Sequence, residues 1–524
     1  MSGAVKAPRG SRLAFGAAFL ALLVVGYAHT LSYPYHFDDF YSVRDNPALR
    51  APGDLAAIWQ FRPSRFVTHL SLAWNLAVAD SPLSLHLVNV LIHAAASLLV
   101  GLVAAAVSSQ LRGGRSWDAA DRRIGAGAAL LFVAHPLATQ AVTYIVQRGT
   151  ALAALLELAA VAAFLRARAV GRTRWWVVSW CFALLAGLTK EMAVALPALV
   201  LLTEAVLRQA GSPGRATWKT LAPYLLVFPL VGITASLPAT ALREAPIGFV
   251  ETHEVSRATY LLTQLTVIPR YLGLLVWPRG QSLEHDVAWV DAPGAAALGG
   301  LALMVALVAA AIAMRRRLPL ATLGLGWCLI ALVPESSVIP IRDAMVEHRM
   351  YLPMAGLIWA AAAALESLAT RWRERPAARR VSPVPVTLLV AAALAVTTHV
   401  RNRVWRDELS LWTDASARAP HKARPHNNRG MAFEELGRVA DAEAAFREAI
   451  AAEPLNVPAR INLSRIYGTH GRFAEAVRVL DEAERIEPAN PTVLHNLGSA
   501  WLALGDTTRA AAYYERATRA GPPP

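Results

Sequence analysis

The sequence predicts an all-α protein in two parts: a polytopic membrane bundle of about eleven helical spans over residues 1–403, and an α-solenoid of helical repeats over residues 404–524. Three observations carry this prediction. Apolar residues make up 55% of the 524 residues and charged residues only 17%, whereas soluble domains hold about 45–50% apolar residues even with glycine counted. Residues 13–37, 81–111, 124–147 and 220–242 contain no Asp, Glu, Lys or Arg, and about 20 apolar residues cross a bilayer. The C-terminal part lacks such runs and repeats every 34 residues.

Charge excludes some partners. A formal net charge of +14 would suggest nucleic acid in a soluble chain. Here the arginines sit in short clusters between apolar runs, where they orient the spans, so nucleic acid is not expected as a partner. Two cysteines, Cys181 and Cys328, lie inside apolar runs; a disulfide framework and a Cys-rich metal site are both excluded. Lys6, Arg9 and Arg12 precede the first apolar run without a small-residue cleavage site after it. A retained first helix is expected, not a cleaved leader.

The first span is expected over 13–31, with a long polar segment following to about residue 82. The second, 83–111, leads to Arg112, Arg115, Arg122 and Arg123. The third and fourth, 124–145 and 150–165, end before Arg166, Arg168, Arg172 and Arg174. The fifth and sixth, 175–188 and 192–207, precede Arg208, Arg215 and Lys219, and the seventh covers 221–242. Basic loops after even-numbered spans are cytoplasmic, which puts the N-terminus inside and the loop after the first span outside. Residues 260–277 are apolar but carry Arg270. Were they to cross, Arg315–Arg317 and the basic stretch 371–380 would face outward, so an interfacial helix is expected there. Spans over 292–314, 318–338, 350–368 and 381–400 complete the count. An odd number places the repeats outside the cytoplasm. Lys6, Lys190, Lys219 and Lys422 are the only lysines; this arginine bias suggests a high-GC bacterium, and the membrane expected is the bacterial inner (cell) membrane.

The 34-residue register is read from five columns. Phe433, Tyr467 and Trp501 form one; Ala442, Ala476 and Ala510 another. Phe446, Leu480 and Tyr514, then Ala449, Ala483 and Ala517, then Pro454, Pro488 and Pro522 complete it. Small alanines let two antiparallel helices approach, aromatics fill the gap between repeats, and proline ends the second helix. The pattern resembles tetratricopeptide repeats, near 423–456, 457–490 and 491–524, with Trp412, Ala415 and Pro420 giving half a repeat before them. Such solenoids bind peptides or proteins on a concave face.

Chemistry is sought among polar groups near span ends. Asp38 and Asp39 follow the first span within the sequence Tyr35-His36-Phe37-Asp38-Asp39-Phe40-Tyr41. Adjacent acids beside lipid are costly unless they have partners or work. They read either as a general base with an orienting neighbour or as a solvated loop and helix cap. By the charge-derived topology, His135, Arg148, Lys190, Glu191, Glu284, His285, Asp286, Glu347, His348 and Arg349 gather at that same outer level. Arg148, Lys190 and Arg349 are candidate ligands of an anionic phosphate headgroup; taken singly, each also reads as a snorkelling or paired interface charge. His285 and His348 stand beside acids, so a divalent metal is kept as an alternative, without a two-His helix spacing to support it. No cofactor is otherwise implied. Glu157 lies in mid-span and is given no role.

In order along the chain, FDDFYSVRDNPALR (37–50), FRPSRFVTHLSLAWN (61–75), HLVNVLIHA (86–94), FVAHPLATQAVTYIVQR (132–148), LTKEMAVALP (188–197), LLTQLTVIPRYLGLLVWPRGQSLEHD (261–286) and EHRMYLP (347–353), together with the repeats, resemble the TMTC proteins and their bacterial relatives. These are multispan glycosyltransferases of the GT-C fold with C-terminal tetratricopeptide repeats. The resemblance implies transfer of a hexose, typically mannose, from a polyprenyl-phosphate donor at the outer or lumenal face. Its acidic pair maps onto Asp38-Asp39, with the first acid favoured as the base, and its phosphate-side Lys-Glu onto Lys190-Glu191. Eukaryotic members modify protein Ser or Thr, which would make the acceptor a protein or peptide held by the repeats. One position departs: Gln140 stands where relatives often carry Glu in a pattern like HPxxTEAV.

Three readings follow. The first is a glycosyltransferase. The second is a non-catalytic membrane scaffold recruiting partners through the repeats, which would tolerate alanine at Asp38, Asp39 and Lys190. A transporter ranks last, because no paired broken helices appear in two matching halves.

Overall fold

The computed structural model describes residues 9–114, 116–239, 255–337, 340–373 and 382–521. The end of the seventh expected span, most of the basic stretch 371–380, and Pro522 lie outside the described residues. The chain divides into two compact units, Met1–Gln281 with Ala288–Trp405, and Ser282–Val287 with Arg406–Pro524. The division falls two residues beyond the expected boundary at 403, and a short loop inside the first part belongs to the repeat unit.

The first unit is a helical bundle. Its longest described helix, Pro82–Leu111, starts where Ser81 accepts the Ser84 N–H and Pro82 occupies the first turn. That position needs no intrahelical donor, so proline is tolerated there. The next helix, Ala119–Ala134, begins with a reciprocal capping box between Asp118 and Asp121. These two helices cross at glycine: a Cβ on Gly101 would meet the Gly125 carbonyl oxygen at 2.4 Å, and one on Gly125 would meet the Gly101 oxygen at 2.7 Å. Gly324 and Gly356 make the same crossing between Pro319–Leu332 and Tyr351–Arg373, at 2.1 and 2.3 Å. In a bilayer the lipid is as apolar as leucine, so small residues that permit close backbone contact drive helix association.

Seven helices are long and apolar enough to cross a membrane, or eight if a bent pair counts as one span. The chain is thus a membrane protein with fewer full-length spans among its described residues than the eleven expected. The difference lies in three segments. The expected fifth, sixth and ninth spans fold as Thr173–Gly187, Leu196–Gln209 and Pro319–Leu332, of 15, 14 and 14 residues. At 1.5 Å per residue these reach only about 21–23 Å, short of a roughly 30 Å hydrocarbon core. The bent pair is Ala119–Ala134 with Pro136–Thr143, angled by 56°. A residue before proline is pushed out of the helical region; His135 adopts φ −78 and ψ 126, and its side chain accepts the Leu137 N–H. The segment expected to be interfacial forms the helix Arg257–Val276, which is not among the candidate spans. Tyr260, Thr263, Gln264, Val267, Tyr271 and Leu274 are buried along one face, and Arg270 is exposed.

The second unit contains three helix pairs, Ala423–Glu435 with Val439–Ala452, Val457–Thr469 with Phe473–Ile486, and Pro491–Ala503 with Thr507–Ala520, preceded by Glu408–Arg418. The predicted columns fill its core. Ala442, Phe446, Ala449, Tyr467, Leu480 and Ala483 are buried, with Phe433 and Trp501 packed against the same cluster. Loop 282–287 is tied here by Arg424, whose Nε donates to Glu284 at 2.6 Å, and by His421 Nδ1 at 2.7 Å from Asp286.

A bulky side chain at a glycine crossing should separate two helices. Gly356→Val is expected to cost about 1–3 kcal/mol, the usual range for overpacking, and to lower the detergent melting temperature. Gly16, with nothing within 4 Å of its virtual Cβ, should accept alanine unchanged. Equal melting of the two variants would refute the glycine account.

Candidate active site

The acidic pair follows a strained turn. Phe37 has φ +44 and is the one non-glycine residue with positive φ among the described residues. A bulky side chain in that region costs on the order of 1–3 kcal/mol and persists only where the surroundings enforce it. Directly after it the two acids diverge. Asp39 is fully buried. Its Oδ1 accepts the Val146 N–H at 2.7 Å and its Oδ2 the His36 N–H at 3.1 Å. Asp38 is half-buried, and its own N–H donates to the Tyr144 hydroxyl at 3.0 Å. Asp39 therefore fastens the loop to residues 144–146, while Asp38 retains access.

A cavity of about 30 Å³ lies beside this loop, lined among others by Tyr41, Ser42, Val146, Arg62, Arg65 and Lys190. Lys190 is buried, donates to Thr150 Oγ1 at 2.8 Å, and lies 3.4 Å from Glu335 Oε1. Burial lowers the pKa of its ammonium; Arg65 and Arg349 lower it further, while Glu335 and Glu191 raise it. Glu191 accepts from Ser64 Oγ at 2.7 Å and from Arg65 Nε at 3.3 and 3.4 Å, with Arg62 at 3.6 Å. Burial alone would raise its carboxyl pKa, but Arg65 and Arg62 hold it well below the usual carboxylate range.

The other predicted residues take different places. Arg148 is fully buried and committed to protein acceptors: Nε donates to Asn89 Oδ1 at 2.6 Å, Nη1 to the Ser71 carbonyl at 3.1 Å, and Nη2 to Asn75 Oδ1 and the Leu85 carbonyl at 2.7 and 3.0 Å. This is a helix clamp, and Arg148 is not among the cavity's lining residues. His135 has both ring nitrogens occupied, by the Leu137 N–H and the Leu275 carbonyl. Glu347 accepts from Gln281 Nε2 at 2.7 Å. The His348 N–H donates to Gln140 Oε1 at 2.8 Å. Arg349 bonds the Asp343 and Ala344 carbonyls at 2.9 and 3.2 Å, and its Nε has no hydrogen-bond partner. His285 and Asp286 belong to the repeat unit, not the bundle; Asp286 is held by His421. Reading the loop from the assumed membrane face alone grouped them with the bundle residues. Among the described residues, no group of three or more His, Cys, Asp or Glu could hold a metal ion.

Arg62, Arg65, Ser64, Tyr144 and Glu335 were not singled out from sequence as site residues. The signal at hand was the pair of arginines three residues apart in FRPSRF, inside a stretch quoted above only for its resemblance.

Burial pushes the Asp39 carboxyl up to about 7, with His36 and the backbone donors of His36 and Val146 pulling the other way. A free aspartate titrates near 3.9. The folded state thus binds a proton more readily than the unfolded state, so this group favours folding at low pH, and the contribution is lost as pH rises through about 7. Asp39→Asn should flatten the fall in melting temperature between pH 5 and 8. An unchanged slope would show that Asp39 does not titrate in that window.

A family model described as Tetratricopeptide repeat matches residues 395–457 and 461–523, and a second of that description matches 434–483. The protein O-mannosyl-transferase Tmtc3 of Drosophila melanogaster is 26% identical over 89% of this chain and 58% of its own length. Mouse protein O-mannosyl-transferase TMTC4 is 24% identical over 80% of this chain and 64% of its own, and protein O-mannosyl-transferase F38B6.6 of Caenorhabditis elegans 23% over 83% and 62%. The crystal structure of MamA aligns with 31% of this chain and 88% of its own at 15% identity and a TM-score of 0.21. The chain spans little more than half the length of the first curated relatives it matches. The expected resemblance is borne out: over most of its length this membrane chain is homologous to proteins named as TMTC protein O-mannosyl-transferases, and it ends in tetratricopeptide repeats.

Proposed function

We propose that the chain is a membrane glycosyltransferase. It moves a mannose-like hexose from a polyprenyl-phosphate donor to a hydroxyl acceptor, a protein Ser or Thr, at the extracytoplasmic face of a bacterial inner membrane. The observation that carries this reading is the half-buried Asp38, fixed by the buried Asp39, beside a cavity lined by buried cations. The names of the relatives support the same chemistry.

In the step proposed, the acceptor oxygen attacks the anomeric carbon and its proton passes to the Asp38 carboxylate. The bond from that carbon to the phosphate oxygen breaks, and the electron pair leaves on the phosphate. A phosphate leaves readily, so no acid is needed on that side. Cations fixed where the charge develops stabilise it; Lys190 and Arg349 belong to that set. Arg148 acts instead as a clamp behind the site. Asp39 orients the loop. The repeats take the protein acceptor and leave the chemistry to the bundle. The solenoid by itself would also serve a scaffold, and that reading predicts full function with alanine at Asp38 and Lys190.

Asp38→Asn keeps shape and removes basicity, so sugar transfer in membranes of matched expression should fall about a hundred- to ten-thousand-fold. Asp39→Asn should lose less, because it disturbs position and not proton transfer. Near-normal turnover in both variants would remove the enzyme reading. For the orientation, an alkaline phosphatase fused after Pro524 should be active and a cytoplasmic reporter silent; the reverse would place the repeats inside.

A further inference from the structure

We infer that the cavity walled by Arg62, Arg65 and Lys190 seats the phosphate of a lipid-linked substrate, and that Glu191 is a built-in counter-anion which that phosphate displaces from the two arginines. The inference rests on the donor reading above and assigns it residues and a device.

The cavity, at about 30 Å³, is too small for a hexose and suits a compact anionic group. Its polar walls are rich in donors, with two guanidiniums, an ammonium and the hydroxyls of Thr68 and Thr150. A phosphate offers acceptors, whereas a sugar needs both donors and acceptors. The cations are well shielded, with side-chain exposures of 15% for Arg62, 17% for Arg65 and 4% for Lys190. Charges held this far from water are expensive unless an anion answers them. Glu191 answers two of them loosely. It meets Arg65 at 3.2–3.4 Å and Arg62 at 3.6 Å, against about 2.7–2.9 Å for a seated guanidinium–carboxylate bond. One carboxylate is being shared where two are wanted. Its tight bond is to the Ser64 hydroxyl, at 2.7 Å. With 32% of its side chain exposed, Glu191 has solvent to move toward. A phosphate has enough oxygens to satisfy both guanidiniums and reach Lys190, so exchange improves every contact in the set. Until then Glu191 keeps the cations apart and the cavity formed.

The test is direct binding to the purified full-length protein in detergent, followed by calorimetry with farnesyl phosphate, farnesol and inorganic phosphate as probes. Farnesyl phosphate should bind and farnesol should not, with inorganic phosphate competing only at higher concentration. Arg65→Gln and Arg62→Gln should each weaken farnesyl phosphate about tenfold or more, the scale of a lost charged hydrogen bond. Glu191→Gln should tighten it severalfold, because the competing anion is gone. A monodisperse elution profile for each variant separates lost binding from lost fold. Affinities within twofold of the parent for both arginine variants overturn the site. Weakening by Glu191→Gln overturns the exchange, and no preference of farnesyl phosphate over inorganic phosphate overturns the lipid-linked source. Binding requires no turnover. Selective binding without sugar transfer would sink the transferase reading alone, whereas Asp38-dependent transfer with arginine-independent binding would sink only this inference.

Discussion

A guanidinium cannot be left unanswered in the dry interior of a bundle, and Arg148 is the place where this chain meets that constraint. It is fully buried, and its four hydrogen bonds reach Ser71 and Asn75 on one helix and Leu85 and Asn89 on another. Its own helix is the third element. Removing one partner would strand a buried charge, which costs several kcal/mol. The three helices are therefore held in one register by polar groups, in a medium where apolar contacts between helices give no selectivity over lipid.

The same short stretch of chain sets the rest of the site. Alternate residues on either side of Arg148 each take hold of a separate element. Tyr144 receives the Asp38 N–H, Val146 donates to Asp39, and Thr150 accepts from Lys190. The acidic loop and the lysine come from segments about 150 residues apart, yet both are referenced to residues 144–150. Strain at Phe37 fits this arrangement, since a backbone tied at His36 and Asp39 has little freedom to relax between them. In this account the site is precise because its supports are buried and hydrogen-bonded, while Asp38 itself keeps access to solvent.

Much of this was legible in the sequence, for physical reasons that differ by element. The repeat columns could be read because each position packs against its own copy 34 residues on, so the pattern is local and regular. The bundle could be read because bilayers demand long charge-free runs. The number of full-length spans could not, since hydropathy reports composition and not where a helix ends; Thr173–Gly187 and Leu196–Gln209 are apolar but short. The acidic pair was visible as a pair. Its division of labour depends on the Val146 N–H, 107 positions away, which no local pattern encodes. Arg148 looked like a phosphate ligand because a sequence shows the cation and hides the carbonyls that occupy it. His285 and Asp286 were grouped by assumed membrane face, but their loop packs with the repeat unit, where Arg424 and His421 supply charge partners for Glu284 and Asp286.

Gln140 shows how a departure in sequence can alter charge while leaving shape. Its amide oxygen accepts the His348 N–H at 2.8 Å and lies 3.2 Å from His348 Nδ1. A glutamate in its place would offer the same acceptor at the same distance, so the backbone turn at Glu347-His348-Arg349 would be held equally well. What would change is the charge of a buried corner that already contains the Glu347 carboxylate, met by the Gln281 amide at 2.7 Å. A second acid there would need a cation, and Arg349 is the nearest in sequence. With glutamine present, Arg349 bonds the Asp343 and Ala344 carbonyls instead. The amide thus spares Arg349 from answering an acid at position 140, and it leaves the guanidinium's charge available to the cationic side of the site around Lys190.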